Sequence, residues 1–142
     1  MNIEELYTPV ILALATQIPH LGRLENPDAS ASLHSMLCGS RITVDLSLED
    51  GRIVRFAQDV SACALAQASA AIMGREVLGR SARDMRDARE ALRAMLKEAA
   101  APPAGRWSGL AELAPVRHAP IRHDSVLLPF DAVLAALEKA GV

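Results

Sequence analysis

The strongest constraint on the fold is an alternating run, Arg41–Leu48, that a tight turn follows. Polar residues in this run alternate with four apolar ones: Ile42, Val44, Leu46, Leu48. Such alternation is typical of a half-buried strand. Asp50-Gly51 comes next, and both residue types tolerate the positive φ that hairpin turns require. The return segment Arg52–Gln58 is rich in β-branched and aromatic residues, so the sequence predicts an antiparallel hairpin.

Helical signals lie on both sides of this hairpin. Thr8-Pro9 suits a helix start, since proline is tolerated at the first helical position. Ser81 and Asp84 resemble a capping box, and Gly74 is placed to end a helix in a left-handed conformation. The predicted helices span residues 9–18, 63–73, 82–98 and 107–113. A last helix is predicted to run to the C-terminus, with an apolar repeat at helical spacing: Leu127, Phe130, Leu134, Leu137. A first strand is predicted over 31–37, a loop over 20–28, and extended chain around Pro115 and Pro120.

These elements predict an α+β fold in which a small antiparallel sheet of about three strands packs against helices. The length of 142 residues favours one domain, residues 1–142. A net charge of −2 gives no electrostatic footprint for nucleic acid. The apolar run Val10–Ala15 is too short for a membrane span, and the acidic start is unlike a signal peptide. We therefore expect a cytoplasmic protein without nucleic acid or membrane partners.

The two cysteines flank the predicted hairpin. Cys38 precedes its first strand, and Cys63 opens the apolar helix that follows. A helix N-terminus favours a thiolate, which is the form that binds metal or attacks sulfur. In a reducing compartment such cysteines are free thiols or metal ligands more often than a disulfide. Cys63 is also compatible with a small buried apolar residue, so both interpretations stay open.

A third group, His123-Asp124-Ser125, stands at the start of the last predicted helix. Histidine and aspartate are metal ligands, whereas spacing alone favours a helix cap at Asp124 or Ser125. The chain has no glycine-rich phosphate loop, no Cys-x-x-Cys and no Gly-x-Ser-x-Gly. The sequence therefore predicts a protein that is not an enzyme.

Four segments in this order carry a family resemblance: Arg23–Asp28 with its Asn-Pro, Cys38-Gly39-Ser40, Cys63–Ser69, and Pro120–Leu128. With the Asp-Gly turn between the second and third, the chain resembles the U-type iron–sulfur cluster assembly scaffolds, the IscU, SufU and NifU N-terminal-like family. The resemblance implies the SufE/NifU-like fold, in which helices back a small antiparallel sheet. This agrees with the fold class expected from the residues.

The resemblance also implies a function. Such scaffolds accept sulfur from a cysteine desulfurase, collect iron, build a [2Fe–2S] cluster and pass it to recipient apoproteins. Cys38 and Cys63 correspond to cluster or zinc ligands. Aligned without a gap, Ser40 replaces the family's aspartate, Ser125 its third cysteine, and Asp124 the IscU-type histidine.

Serine is a poor ligand for iron or zinc. His123 or Asp124 is therefore the candidate for the additional ligand. The leading interpretation is a divergent scaffold that holds iron, a [2Fe–2S] cluster or zinc through Cys38 and Cys63. The first alternative is a SufE-type sulfur acceptor, in which one cysteine takes a persulfide and no metal is needed. The second is a degenerate homologue with a structural zinc or none.

Overall fold

The predicted hairpin forms two strands of a three-stranded antiparallel sheet in the computed structural model, which describes residues 3–37 and 39–142. Strand β2 spans Arg41–Glu49 and strand β3 spans Arg52–Ser61, so β3 extends beyond the predicted end. Asp50 has a φ of 52° and Gly51 a φ of 75°. Both turn residues are therefore left-handed, as the Asp-Gly pair predicts.

Strand β1, Ala29–His34, lies beside β2, with Ala29 opposite Leu46. The predicted strand 31–37 is wrong at its end, because a closed turn begins directly after His34. The backbone N–H of Ser35 donates to the carbonyl of Ser40 at 2.8 Å, and that of Gly39 donates to the carbonyl of Ser35 at 3.0 Å. The residues that precede Cys38 therefore belong to the loop between β1 and β2.

Four α-helices accompany the sheet in the described chain: α1 Pro9–Ala15, α2 Ala64–Glu76, α3 Ala82–Lys97 and α4 His123–Lys139. Helices α1 and α3 start where the sequence predicts, because the residues at their N-termini form the expected caps. Thr8 caps α1, because its Oγ1 accepts the Ile11 N–H at 3.2 Å, and Ser81 with Asp84 forms the predicted capping box. Helix α1 ends earlier than predicted.

The prediction that Gly74 ends α2 is wrong, since the helix continues to Glu76 with Gly74 buried inside it. A Cβ atom at position 74 would lie 2.7 Å from Gln58 Nε2 and 2.8 Å from Pro19 Cγ. The missing side chain lets α2 approach β3 closely. Gln58 Nε2 uses this proximity to donate to the carbonyls of Pro19 at 3.0 Å and Ala70 at 3.2 Å.

The segment between α3 and α4 is a 3₁₀ helix, Gly105–His118, followed by a short one, Pro120–Arg122. The predicted helix 107–113 is therefore too short, and the extended chain predicted around Pro115 is wrong. Three apolar side chains are buried at intervals of three residues: Leu110, Leu113, Val116. That spacing matches the three residues per turn of a 3₁₀ helix.

Helix α4 covers the sheet, packing against β1 and β2 and also against α2 and α3. It begins at His123, the start predicted for the last helix, and contains Pro129 as a buried residue. The core combines fully buried side chains of the sheet and the helices, among them Ile42, Val44, Leu46, Leu65, Met85 and Phe130. The predicted α+β class is confirmed. No helix in the described ranges combines the length and hydropathy of a membrane span.

Candidate metal centre

The two segments that carry the cysteines lie in contact. The backbone N–H of Cys63 donates to Ser40 Oγ at 3.2 Å, and Ser40 is only 1% exposed. Cys38 itself lies outside the described residues, whereas Leu37 and Gly39 on either side are described. The loop between β1 and β2 is thereby joined directly to the start of α2.

Cys63 is the N-cap residue of α2, and its side chain makes no capping hydrogen bond. Its carbonyl accepts the Gln67 N–H at 2.9 Å, which starts the helix. Asp59 and Ser61, two residue types that often cap helices, belong to β3 and do not cap this one. The Cys63 thiol is partly buried, at a helix N-terminus as the sequence predicts.

Buried serines join the loop and α2 to the start of α4. Ser35 Oγ and Ser125 Oγ are 3.5 Å apart, and Ser69 Oγ donates to the carbonyl of Val126 at 2.6 Å. Ser125, which stands where the resemblance places a third cysteine, is fully buried. Three elements therefore converge here: the loop, the first half of α2 and the first turn of α4.

His123 and Asp124 begin α4 but occupy different environments. His123 is 4% exposed, and its Nε2 donates to the carbonyl of Val116 at 3.0 Å. Asp124 is exposed and lines a groove of about 310 Å³ together with Met36 and Leu37. The alternative that Asp124 or Ser125 caps α4 is wrong, because the N-cap is Arg122 without a side-chain bond.

The described residues do not complete a metal site by themselves. Across residues 3–37 and 39–142, no three His, Cys, Asp or Glu side chains are grouped closely enough to hold a metal ion. Cys38, whose thiolate is a donor of the type that suits zinc and iron, lies outside those residues. The ligand set Cys38, Cys63, His123 and Asp124 stays a prediction.

Asp45 is a buried carboxylate that the sequence pattern places on the exposed face of β2. It is fully buried and accepts hydrogen bonds from Arg23 Nε at 2.7 Å, Leu24 N at 2.9 Å and Ser30 Oγ at 2.5 Å. Burial alone would raise the pKa of Asp45, but the hydrogen bonds from Arg23, Ser30 and Leu24 outweigh burial and leave this pKa below its ordinary value. Asp45 therefore fixes the loop that contains Arg23 onto the sheet.

Comparison with known proteins gives one family. The model of the NifU-like N terminal domain matches residues 6–104. The crystal structure of a nitrogen-fixing NifU-like protein (N-terminal) from Brucella abortus is 43% identical, with a TM-score of 0.93, and the match covers 98% of this chain and 96% of that one.

Two more distant structures share the fold. A proposed iron–sulfur cluster assembly scaffold protein for the SUF system from Fervidobacterium islandicum AW-1 is 19% identical, with a TM-score of 0.87 over 96% of this chain and 99% of that one. A hypothetical protein is 25% identical, with a TM-score of 0.81 and the same coverage. No curated protein matches the chain.

Proposed function

Because this chain belongs to the family of NifU-like N-terminal domains, we propose that it is a scaffold or carrier for iron–sulfur cluster assembly. The observation that carries the proposal is the hydrogen bond between Cys63 N–H and Ser40, which brings the two thiol-bearing segments together. The fold shared with the SUF scaffold protein supports it. We place the protein in the cytoplasm as one domain, 1–142.

Sulfur acceptance requires a thiolate that can reach the persulfide of a cysteine desulfurase. The thiolate of Cys38 or Cys63 attacks the terminal sulfur of that persulfide. A new S–S bond forms on this protein while the donor's S–S bond breaks, and the donor cysteine leaves as a thiolate. This transfer balances without an external oxidant or reductant. The half-buried Cys63 thiol, free of any capping bond, supports such a role.

The metal or cluster is cargo that this site holds before passing it to recipient apoproteins. Cys38 and Cys63 supply two thiolates for iron, a [2Fe–2S] cluster or zinc. Asp124 is the better third donor, because its carboxylate is exposed at the groove. His123 is buried and already uses Nε2 in a bond to Val116.

Anaerobic reconstitution tests the proposal. With ferrous iron, cysteine and the desulfurase of the same organism, we expect visible charge-transfer absorption together with iron and sulfide bound to the purified chain. Retention of neither metal nor sulfur would contradict the scaffold function. A stoichiometric persulfide without metal would instead favour a SufE-type sulfur acceptor.

Replacing Ser40 by alanine should weaken zinc binding, because Cys63 N–H then loses the acceptor that positions it. Loss of a hydrogen bond that orients a metal ligand lowers metal affinity by about 10- to 100-fold. For Ser40→Ala we expect a loss of about 10-fold. Competition with a chromogenic chelator measures the affinity. Ser40→Thr should restore it, since threonine keeps the hydroxyl.

Ser32→Ala is the matched control for Ser40→Ala. Ser32 is an exposed β1 residue whose hydroxyl bonds Thr43 Oγ1 at 2.8 Å, away from the candidate site. Equal zinc affinity in Ser40→Ala and Ser32→Ala would show that Ser40 does not position Cys63.

A further inference from the structure

A cavity of about 360 Å³ lies between α3 and the start of the 3₁₀ helix Gly105–His118. We call it the α3 pocket. Its α3 wall is a single helical face, because the residues that line it recur at intervals of three and four: Asp84, Asp87, Ala88, Ala91. The volume is typical of small-molecule sites. Since its described lining includes no residue of the candidate metal centre, the α3 pocket is a separate candidate for a small ligand.

Arg80 brings a guanidinium without a partner to the α3 pocket. Its carbonyl accepts the Ile53 N–H at 2.9 Å, which holds the residue beside β3. Its Nε is buried but bonds no acceptor in the described chain, and Arg80 forms none of the ion pairs found there. A buried donor without an acceptor is destabilising, whereas a carboxylate can accept from two N–H groups of one arginine. Arg80 is therefore suited to the carboxylate of a ligand.

Asp87 supplies the opposite charge. It is exposed, lines the pocket and takes part in none of the ion pairs found among residues 3–37 and 39–142. Asp84, the other carboxylate of this wall, is already engaged, since it accepts the Ser81 N–H at 2.9 Å and lies 3.7 Å from Arg52 Nη1. The Asp87 carboxylate is therefore available to an ammonium group.

An apolar surface adjoins these two charges. Trp107 lines the pocket, and its ring makes an edge contact with the buried Phe130, with ring centroids 5.6 Å apart and an interplanar angle of 62°. Pro103 and Ala88 line the pocket as well. An aromatic ring packed against tryptophan gains more than its buried area alone provides. The pocket is therefore suited to a ligand that carries an aromatic side chain beside its two charges.

We propose that the α3 pocket binds a free aromatic α-amino acid. Its carboxylate pairs with Arg80, its ammonium pairs with Asp87, and its ring packs against Trp107. A zwitterion meets both open charges at once, whereas an anion alone would add a negative charge beside Asp87 and a cation alone would leave Arg80 unpaired. The proposal goes beyond the scaffold function and does not depend on it, since none of the described lining residues belongs to a thiol-bearing segment.

Fluorescence titration with L-phenylalanine tests the site. Trp107 is the only tryptophan of the chain, so its emission reports directly on the α3 pocket. We expect a saturable change with a Kd of about 1 mM, which is usual for a ligand of this size. Two probes with the same ring remove one charge each: 2-phenylethylamine lacks the carboxylate, and 3-phenylpropionate lacks the ammonium. Each should bind at least about tenfold more weakly, because it leaves a charged group of the pocket unpaired.

Variants of the two charged residues separate their roles. Arg80→Ala should raise the Kd for L-phenylalanine at least about tenfold. Arg83→Ala is the matched control, because Arg83 is an exposed arginine of α3 that does not line the pocket, and its Kd should equal that of the wild type. Asp87→Asn should weaken L-phenylalanine but not 3-phenylpropionate, which has no ammonium group. A merely structural role of Asp87 would weaken both probes alike.

Several outcomes would overturn the site. One is the absence of a saturable change in Trp107 emission at about ten times the expected Kd. Equal Kd values for L-phenylalanine and 3-phenylpropionate, or equal values in Arg80→Ala and Arg83→Ala, would do the same. Should circular dichroism show that Arg80→Ala is unfolded, the three probes on the wild type and the exposed Asp87→Asn variant decide the question without it.

Discussion

Replacing Cys63 by serine is expected to lower zinc affinity by more than about 100-fold, because losing a mere supporting group already costs about 10- to 100-fold. Cys38→Ser should have an effect of similar size, and the double variant should bind no stoichiometric zinc. Metal analysis of protein purified without chelator, followed by chelator competition, measures both effects. The same variants should fail to retain iron and sulfide after anaerobic reconstitution.

Loss of metal in Cys63→Ser should not be accompanied by loss of the fold. Cys63 is the N-cap of α2 without a capping bond, and serine is among the preferred N-cap residues, contributing about 1 kcal/mol. The metal-free variant should therefore unfold at the same or a higher denaturant concentration than metal-free wild type. Ala62→Ser controls for a new hydroxyl beside the site. Stoichiometric zinc in the double cysteine variant would contradict the ligand assignment.

Local chemistry made much of the fold predictable. The Asp50-Gly51 turn and the Ser81–Asp84 capping box depend on residues adjacent in sequence, and both form as expected. The prediction that Gly74 ends α2 was wrong, because the need for glycine there comes from close contact with Gln58 and Pro19, which are remote in sequence.

The relation between the two cysteine segments depends on strand register. A two-residue turn with regular pairing would place Arg41 opposite Val60. An irregularity at Ser47–Leu48 moves its partner to Ser61 instead, and the loop end at Ser40 then meets Cys63. Sequence alone predicts the cysteine at a helix start, but this shift has no signal in the residue pattern.

The burial of Asp45 was missed for a related reason. Alternation assigns the polar positions of β2 to an exposed face, yet Asp45 and Ser47 are both buried. The loop before β1 covers them: Arg23 and Leu24 bond Asp45, and Asp28 N–H donates to Ser47 Oγ at 3.4 Å. The alternating pattern shows only which residues are polar. It cannot show that a loop with hydrogen-bond donors covers the polar face of the strand.

Asp45→Asn is expected to lower the free energy of unfolding by about 2–4 kcal/mol at neutral pH, since hydrogen bonds to charged groups contribute about 1.5–3 kcal/mol and an unpaired buried donor adds to the cost. The asparagine NH₂ would face donors on Arg23, Leu24 and Ser30. Because Arg23 is 57% exposed, the effect comes mainly from hydrogen bonds and little from the ion pair. Urea unfolding followed by circular dichroism measures it, and exposed Asp87→Asn is the control.

The pH dependence of unfolding should show that the charged form of Asp45 is the one that stabilises the fold. Its pKa is lowered in the folded protein, so its contribution is fully present above the unfolded value of about 3.9. That contribution is lost as the pH falls through the folded pKa. The wild type should therefore lose stability between about pH 5 and pH 2 more steeply than Asp45→Asn, which has no carboxylate to protonate. Parallel slopes for the two proteins would show that the Asp45 carboxylate does not hold the Arg23 loop on the sheet.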